Sequence, residues 1–217
     1  MHPGPNTSDV AAERELLLVT ARLLAKEIDA DLYRALLRAD AGTSDETAAG
    51  GEPLVDEEIR SLDEPRALEE LSVEFCRLFV GPRPVCPPYE SVYRGEAMVG
   101  GRAERRVQEF LRRHGMEAVL AAGLPVLSSD HLAVELAVLA HLYPAAEDAR
   151  GPDPRAARSF MASHVSTWAP AYLGGLRDAA RLAPYRTIAG LAARLLTHLD
   201  RRPVSAHAAK EENRPVP

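Results

Sequence analysis

With 217 residues, 46% of them hydrophobic and 27% charged, the chain can bury a substantial core and is too apolar to be disordered. Its formal charge of −6, from 26 basic and 32 acidic residues, argues against nucleic acid as the main partner. No apolar run approaches the ~20 residues needed to cross a bilayer, so no stable membrane insertion is expected.

Abundant Ala, Leu and Arg, with little Ile, Thr or Phe, make a helix-forming composition. Ser8 or Asp9 can cap a first helix, in which Leu16, Leu17, Leu23 and Leu24 recur at helical spacing. The pattern continues through Ile28, Leu32, Leu36 and Leu37 and can restart at Asp29. Residues Ala41 to Pro53 are small, polar and glycine-rich, which predicts a loop. A short helix is expected around Asp56–Leu62. Asp63, Glu64 and Pro65 then open another, with acids at the positive end of the dipole and proline in the first turn. That helix should reach about Phe79 and bury Leu68, Leu71, Phe75, Leu78 and Phe79. From Asp40 to Glu74 twelve Asp or Glu residues stand against two Arg, the pattern of a solvated acidic surface.

The most informative stretch is EFCRLFVGPRPVCPPYESVY, Glu74 to Tyr93. Gly81 and four prolines (Pro82, Pro84, Pro87 and Pro88) make a stiff loop that is neither helix nor central strand. Tyr89 and Tyr93 follow at once, in a chain with few aromatics. Rigid loops bearing amphipathic aromatics are suited to recognition. A stiff connector whose tyrosines pack on the core is the competing account.

Beyond the loop, Arg102–His114 should be a basic helix with Val107, Phe110 and Leu111 inward and Gly115 at its end. Ser128 or Ser129 should cap the next helix, with Leu132, Leu136, Leu139 and Tyr143 in one stripe. Gly151, Pro152 and Pro154 open a helix holding Phe160, His164 and Trp168, and Pro170 and Pro184 start two more, the last ending near Asp200. With no alternating strand pattern, the expected fold class is all-α, one compact multi-helix domain over residues 1–200 followed by a disordered tail at 201–217.

Polar chemistry concentrates at Asp130, His131 and Glu135. Asp130 is expected in a first helical turn, and His131 and Glu135, four apart, share a face where they can hydrogen-bond. The cluster can grip a ligand or respond to pH, or it can simply tie the helix down. As a metal site it offers two ligands and would need His164 as a third. His164 and Trp168, also four apart, read first as a packed core pair. Cys86, three residues after Arg83, would need a base to act as a nucleophile. A metal-assisted hydrolase using Asp130, His131, Glu135 and His164, or a thiol hydrolase using Cys86, is therefore the alternative to a binding module. Two cysteines, Cys76 and Cys86, make neither a disulfide framework nor a zinc site, and Met1–Asp9 lacks a secretory pattern. Cytoplasmic localisation with reduced thiols is expected, and no phosphate-binding loop is visible.

Several blocks resemble the TorD/DmsD/NarJ group of redox-enzyme maturation chaperones. EFCRLFVGP at Glu74–Pro82 is similar to that family's aromatic-x-x-Leu-Phe-x-Gly-Pro block, and PPYESVYRG at Pro87–Gly95 to its Pro-Pro-aromatic-x-Ser-x-aromatic loop. SDHLAVEL at Ser129–Leu136 resembles its Asp-His helix start. FMASHVSTW at Phe160–Trp168 and PYRTIAGLAARLL at Pro184–Leu196 resemble its last helices. Leu127 and Ser128 stand where the family often has Glu-Pro. The resemblance implies an all-helical TorD-like bundle with no catalytic reaction and no cofactor of its own. It implies a chaperone that holds the apo catalytic subunit of a molybdenum-containing oxidoreductase, through a twin-arginine signal peptide or its remnant, until cofactor insertion. A basic, apolar peptide calls for a hydrophobic groove edged by carboxylates. Phe75, Leu78, Phe79, Pro87, Pro88, Tyr89 and Tyr93 would line it, with Asp130, His131 and Glu135 at the polar edge. The family further implies a monomer or a helix-swapped dimer; Ala146–Pro154 is a candidate hinge, and its proline and glycine are equally consistent with a plain turn.

Overall fold

The computed structural model describes residues 7–42, 52–117, 128–143 and 154–202. The Leu127 position, most of the Ala41–Pro53 loop and of the Ala146–Pro154 hinge, and nearly all of the 201–217 tail lie outside them. Ten α-helices occur among the described residues: α1 (Thr7–Ala25), α2 (Ala30–Gly42), α3 (Glu57–Arg60), α4 (Glu64–Phe75), α5 (Glu90–Tyr93), α6 (Gly101–Arg113), α7 (Leu132–Leu142), α8 (Pro154–Phe160), α9 (Ala169–Ala179) and α10 (Ala183–Arg201). No strand is present among those residues, only an isolated antiparallel bridge between Tyr89 and His131. The all-α expectation holds.

Local signals explain most helix starts. Asp29 accepts the Leu32 N–H at 3.1 Å and restarts the chain as α2. Asp63 accepts the Arg66 N–H at 3.0 Å ahead of a proline in the first turn of α4. α4 passes directly into a π-helical turn, Cys76–Val80, closed by the Gly81 N–H on the Cys76 carbonyl at 2.7 Å. α8 does the same at Met161–Val165, with the Ser166 N–H on the Met161 carbonyl at 2.8 Å. Each π turn rotates the residues that follow it, a distortion frequent at functional sites.

α7 is the hub. Every residue from Leu132 to Leu142 except Ala137 and His141 is buried, so the helix is covered on nearly all sides. α1 lies along α7 and α10, and α9 along α10. One hydrophobic cluster runs from Leu17 to Leu199. Fully burying a leucine such as Leu136 contributes about 1.5–3 kcal/mol, which is why a helix with this composition sits at the centre. Polar ties join the α3–α4 region to the chain entering α10. Asp56 accepts the Ala183 N–H at 2.6 Å, and Glu74 accepts the Arg181 N–H at 2.7 Å.

Candidate functional site

The proline loop is anchored at both ends. At its start, the Cys86 N–H donates to the Leu78 carbonyl at 2.8 Å. At its end, the bridge to His131 is made by the Leu132 N–H on the Pro88 carbonyl (2.8 Å) and the Glu90 N–H on the Asp130 carbonyl (2.9 Å). With no backbone N–H of its own, Pro88 serves as acceptor only. The loop then turns into the single-turn helix α5, which carries Glu90, Ser91 and Tyr93.

The structure thus brings the Pro87–Tyr93 segment against Asp130 and His131. It places them differently from a groove with a charged edge. Asp130 is fully buried: its carboxylate accepts the Ser91 N–H at 2.9 Å and the Ser128 hydroxyl. It stands before α7 and not in its first turn, because Ser91 draws it toward α5. The expected serine cap is replaced by His131, whose Nδ1 accepts the Ala133 N–H at 3.1 Å. Burial holds the His131 imidazole neutral, with its pKa lowered to about 4 despite the nearby Asp130. No hydrogen bond joins the side chains of His131 and Glu135. Glu135 Oε2 instead accepts the Trp168 indole N–H at 3.0 Å.

Glu135 is fully buried, and burial together with the neighbouring Glu90 pushes its carboxyl well above the usual range. Its Oε1 and the Oε2 of Glu90 are both buried without a hydrogen-bond partner. Glu90 Oε1 receives two guanidinium groups, from Arg94 at 2.6 Å and Arg106 at 3.0 Å. Arg94 also donates to the Thr167 hydroxyl at 2.6 Å. The buried floor therefore comprises a carboxylate held by two arginines and a neighbouring carboxyl whose burial favours its protonated form.

Aromatic rings form the wall above this floor. Tyr89 meets the His131 ring edge-on at 4.8 Å, and Tyr93 lies 5.8 Å from Trp168. Trp168 stacks at a tilt on Tyr172 at 5.4 Å, and the Tyr172 hydroxyl reaches back to the Cys86 carbonyl at 2.8 Å. Tyr93 is half exposed, Tyr89 and Pro87 are partly exposed, and Pro88 is buried. Phe75, Leu78 and Phe79 belong to the core. Phe75 and Phe79 pack edge to face at 5.2 Å, and Phe79 does the same on Tyr185 at 5.8 Å. All three are buried in this conformation and leave almost no surface for a ligand.

His164 sits between the rings of Phe160 (4.9 Å) and Phe110 (6.0 Å), its Nδ1 unpartnered. Burial first, then Arg106 and Arg94, lower its pKa to about 4. Among the described residues no set of three or more His, Cys, Asp or Glu side chains is arranged to hold a metal. Burial also raises the Cys86 thiol, which disfavours the thiolate a nucleophile needs. Sequence reasoning missed Glu90, Arg94, Arg106 and Tyr172. The Glu90–Arg94 spacing of four was a legible helical pair, but the approach of Arg106 and Tyr172 is set by tertiary packing.

The family model for the nitrate reductase delta subunit matches residues 42–173. The chaperone protein TorD of Vibrio cholerae serotype O1 is 31% identical over 140 residues. That match covers 61% of this chain and 62% of TorD, so the chain spans less than two thirds of that relative's length. TorD of Shewanella oneidensis is 30% identical over 157 residues, 67% of this chain and 68% of that protein. The crystal structure of a redox enzyme maturation protein from Archaeoglobus fulgidus superposes with a TM-score of 0.53, covering 91% of this chain and 97% of that one. At 21% identity this likeness bears on the fold alone.

Proposed function

Because the chain belongs to the nitrate reductase delta subunit family, that of the TorD chaperones, we propose that it is a chaperone for the catalytic subunit of a molybdenum-containing oxidoreductase. It acts in the cytoplasm, takes the N-terminal segment of the apo subunit (a twin-arginine signal peptide or its remnant), and holds it until the cofactor is inserted. The observation that carries this reading is the bridge between Tyr89 and His131, which fixes an aromatic wall at the surface over a buried acidic floor. The apolar part of the client segment lies on Pro87, Tyr89 and Tyr93. Asp130, His131 and Glu135 act as positioning residues, since they hold α5 and Trp168 in place from within. Phe75, Leu78, Phe79 and Pro88 support the loop.

A client guanidinium reaches the acidic floor by replacing Arg94 on Glu90. Arg94 is about one-third exposed, its partner is fully buried, and the exchange substitutes one arginine for another. It thus costs far less than stripping a buried carboxylate of its only partner. Calorimetry with the client's N-terminal peptide tests the reading. Tyr89→Ala and Tyr93→Ala each remove an aromatic anchor and should cost about 2 kcal/mol, about thirtyfold in Kd. Undiminished affinity in both variants would remove the wall from the account.

A further inference from the structure

α6 has no part in the aromatic wall, yet its outer face is strongly basic on a chain of net negative charge. Five arginines stand against two glutamates between Gly101 and Arg113. At 3.6 residues per turn, Arg102, Arg105, Arg106, Arg112 and Arg113 fall within about 120° of arc, opposite the buried Ala103, Val107 and Phe110. Arg112 and Arg113 share Glu109, and Arg106 leans onto Glu90. The side chains of Arg102 and Arg105 are exposed, with no ion pair among the described residues. Directly before them Met98 is 72% exposed and Val99 48%, two apolar side chains that the fold leaves uncovered at the helix start. Their backbone is fixed. Gly100 and Gly101 both adopt positive φ, which lets Glu96 accept the Arg102 N–H at 2.7 Å, and the Gly100 N–H donates to Ser91 at 3.1 Å. The apolar pair thus stands at the start of the basic helix, which packs against α5.

We propose that this face, Met98 and Val99 with Arg102 and Arg105, is a second docking surface that takes an acidic, amphipathic segment of a protein partner. The inference rests on the chaperone reading, since the partner is the client held at the aromatic wall. Charge sets the occupant. A twin-arginine segment is repelled here, whereas a helix with carboxylates flanking an apolar stripe meets arginines that lack partners and two open apolar side chains. Two contacts of opposite charge preference also fix the direction in which the client chain lies.

The test uses two helical peptides with one leucine stripe, one bearing glutamates and the other arginines, titrated against the full chain. The glutamate peptide should bind about tenfold more tightly, and the preference should vanish at high salt. Arg102→Glu with Arg105→Glu should invert the preference, Met98→Ser should weaken the glutamate peptide, and Arg194→Glu on α10 should change nothing. Tyr89→Ala should leave this binding intact while weakening that of the client's N-terminal peptide about thirtyfold, so the two readings fail separately. Equal binding, tighter binding of the arginine peptide, or binding only to phosphatidylglycerol vesicles would overturn the proposal.

Discussion

Glu135→Gln should stabilise this protein, although it alters a fully buried polar residue at the centre of the fold. Glu135 keeps one oxygen on the Trp168 indole and leaves the other without a partner beside Glu90. Its folded-state pKa lies well above the unfolded 4.5, through burial first and Glu90 second. The folded state therefore holds a proton that the unfolded state releases. Linkage then makes stability fall as pH rises from the unfolded pKa towards the folded one, by about 1.4 kcal/mol per pH unit. Glutamine keeps the acceptor for Trp168 and cannot ionise, so the variant escapes that slope. It should match the wild type below the unfolded pKa of 4.5 and exceed it at pH 8 in urea denaturation, with an unchanged m-value. Changes at His131 and His164 affect both proteins equally and cancel in the difference. Glu135→Ala should instead lose about 3 kcal/mol, through the orphaned indole N–H and the cavity. A glutamine variant less stable than wild type at pH 8, or a gap that ignores pH, would refute a protonated Glu135.

On the acid side His131 and His164 both act; for His131 the pKa falls from 6.5 to about 4 on folding. Its contribution is present above pH 6.5 and lost as pH falls towards 4, about 3 kcal/mol in all. His131→Asn keeps a helix-capping acceptor and should flatten that part of the pH–stability curve measured by thermal unfolding. Leu136→Ala, at a site with no solvent exposure, should cost about 2–5 kcal/mol in chemical denaturation. In a thiol titration at pH 8 the exposed Cys76 should react first. Cys86, half-buried with a raised pKa, should follow slowly, and equal rates would count against the loop's anchoring.

What the sequence makes legible here is what short-range physics decides. Asp63-Glu64-Pro65 marks a helix start because capping, dipole and proline all act within one turn. The basic α6 with Val107, Phe110 and Leu111 inward follows from 3.6 periodicity, and Pro184 opens α10 as expected. The pairing of the proline loop with the Asp130–His131 strip came from family resemblance and could not come from spacing, since it joins segments some forty residues apart. Three features were hidden for related reasons. Ser91 competes for Asp130 and takes it out of the helix start, leaving the cap to His131. The π turn at Cys76–Val80 is a register that 3.6 periodicity does not foresee, although Leu78 and Phe79 are buried as expected. Glu90 reads as a surface residue of a loop until α6 closes over it and Arg106 meets Arg94 on the same oxygen.

The central claim is that Tyr93 stands at the wall where a client's N-terminal segment lies. A photo-reactive phenylalanine analogue placed at Tyr93, with a second at Arg194 on α10 as reference, can be irradiated with the catalytic subunit bound. The crosslinked residues are then read by mass spectrometry. The account predicts adducts from position 93 within the client's N-terminal segment and none there from position 194. Adducts from 194 but not from 93, or adducts from 93 only to the client's folded body, would contradict it.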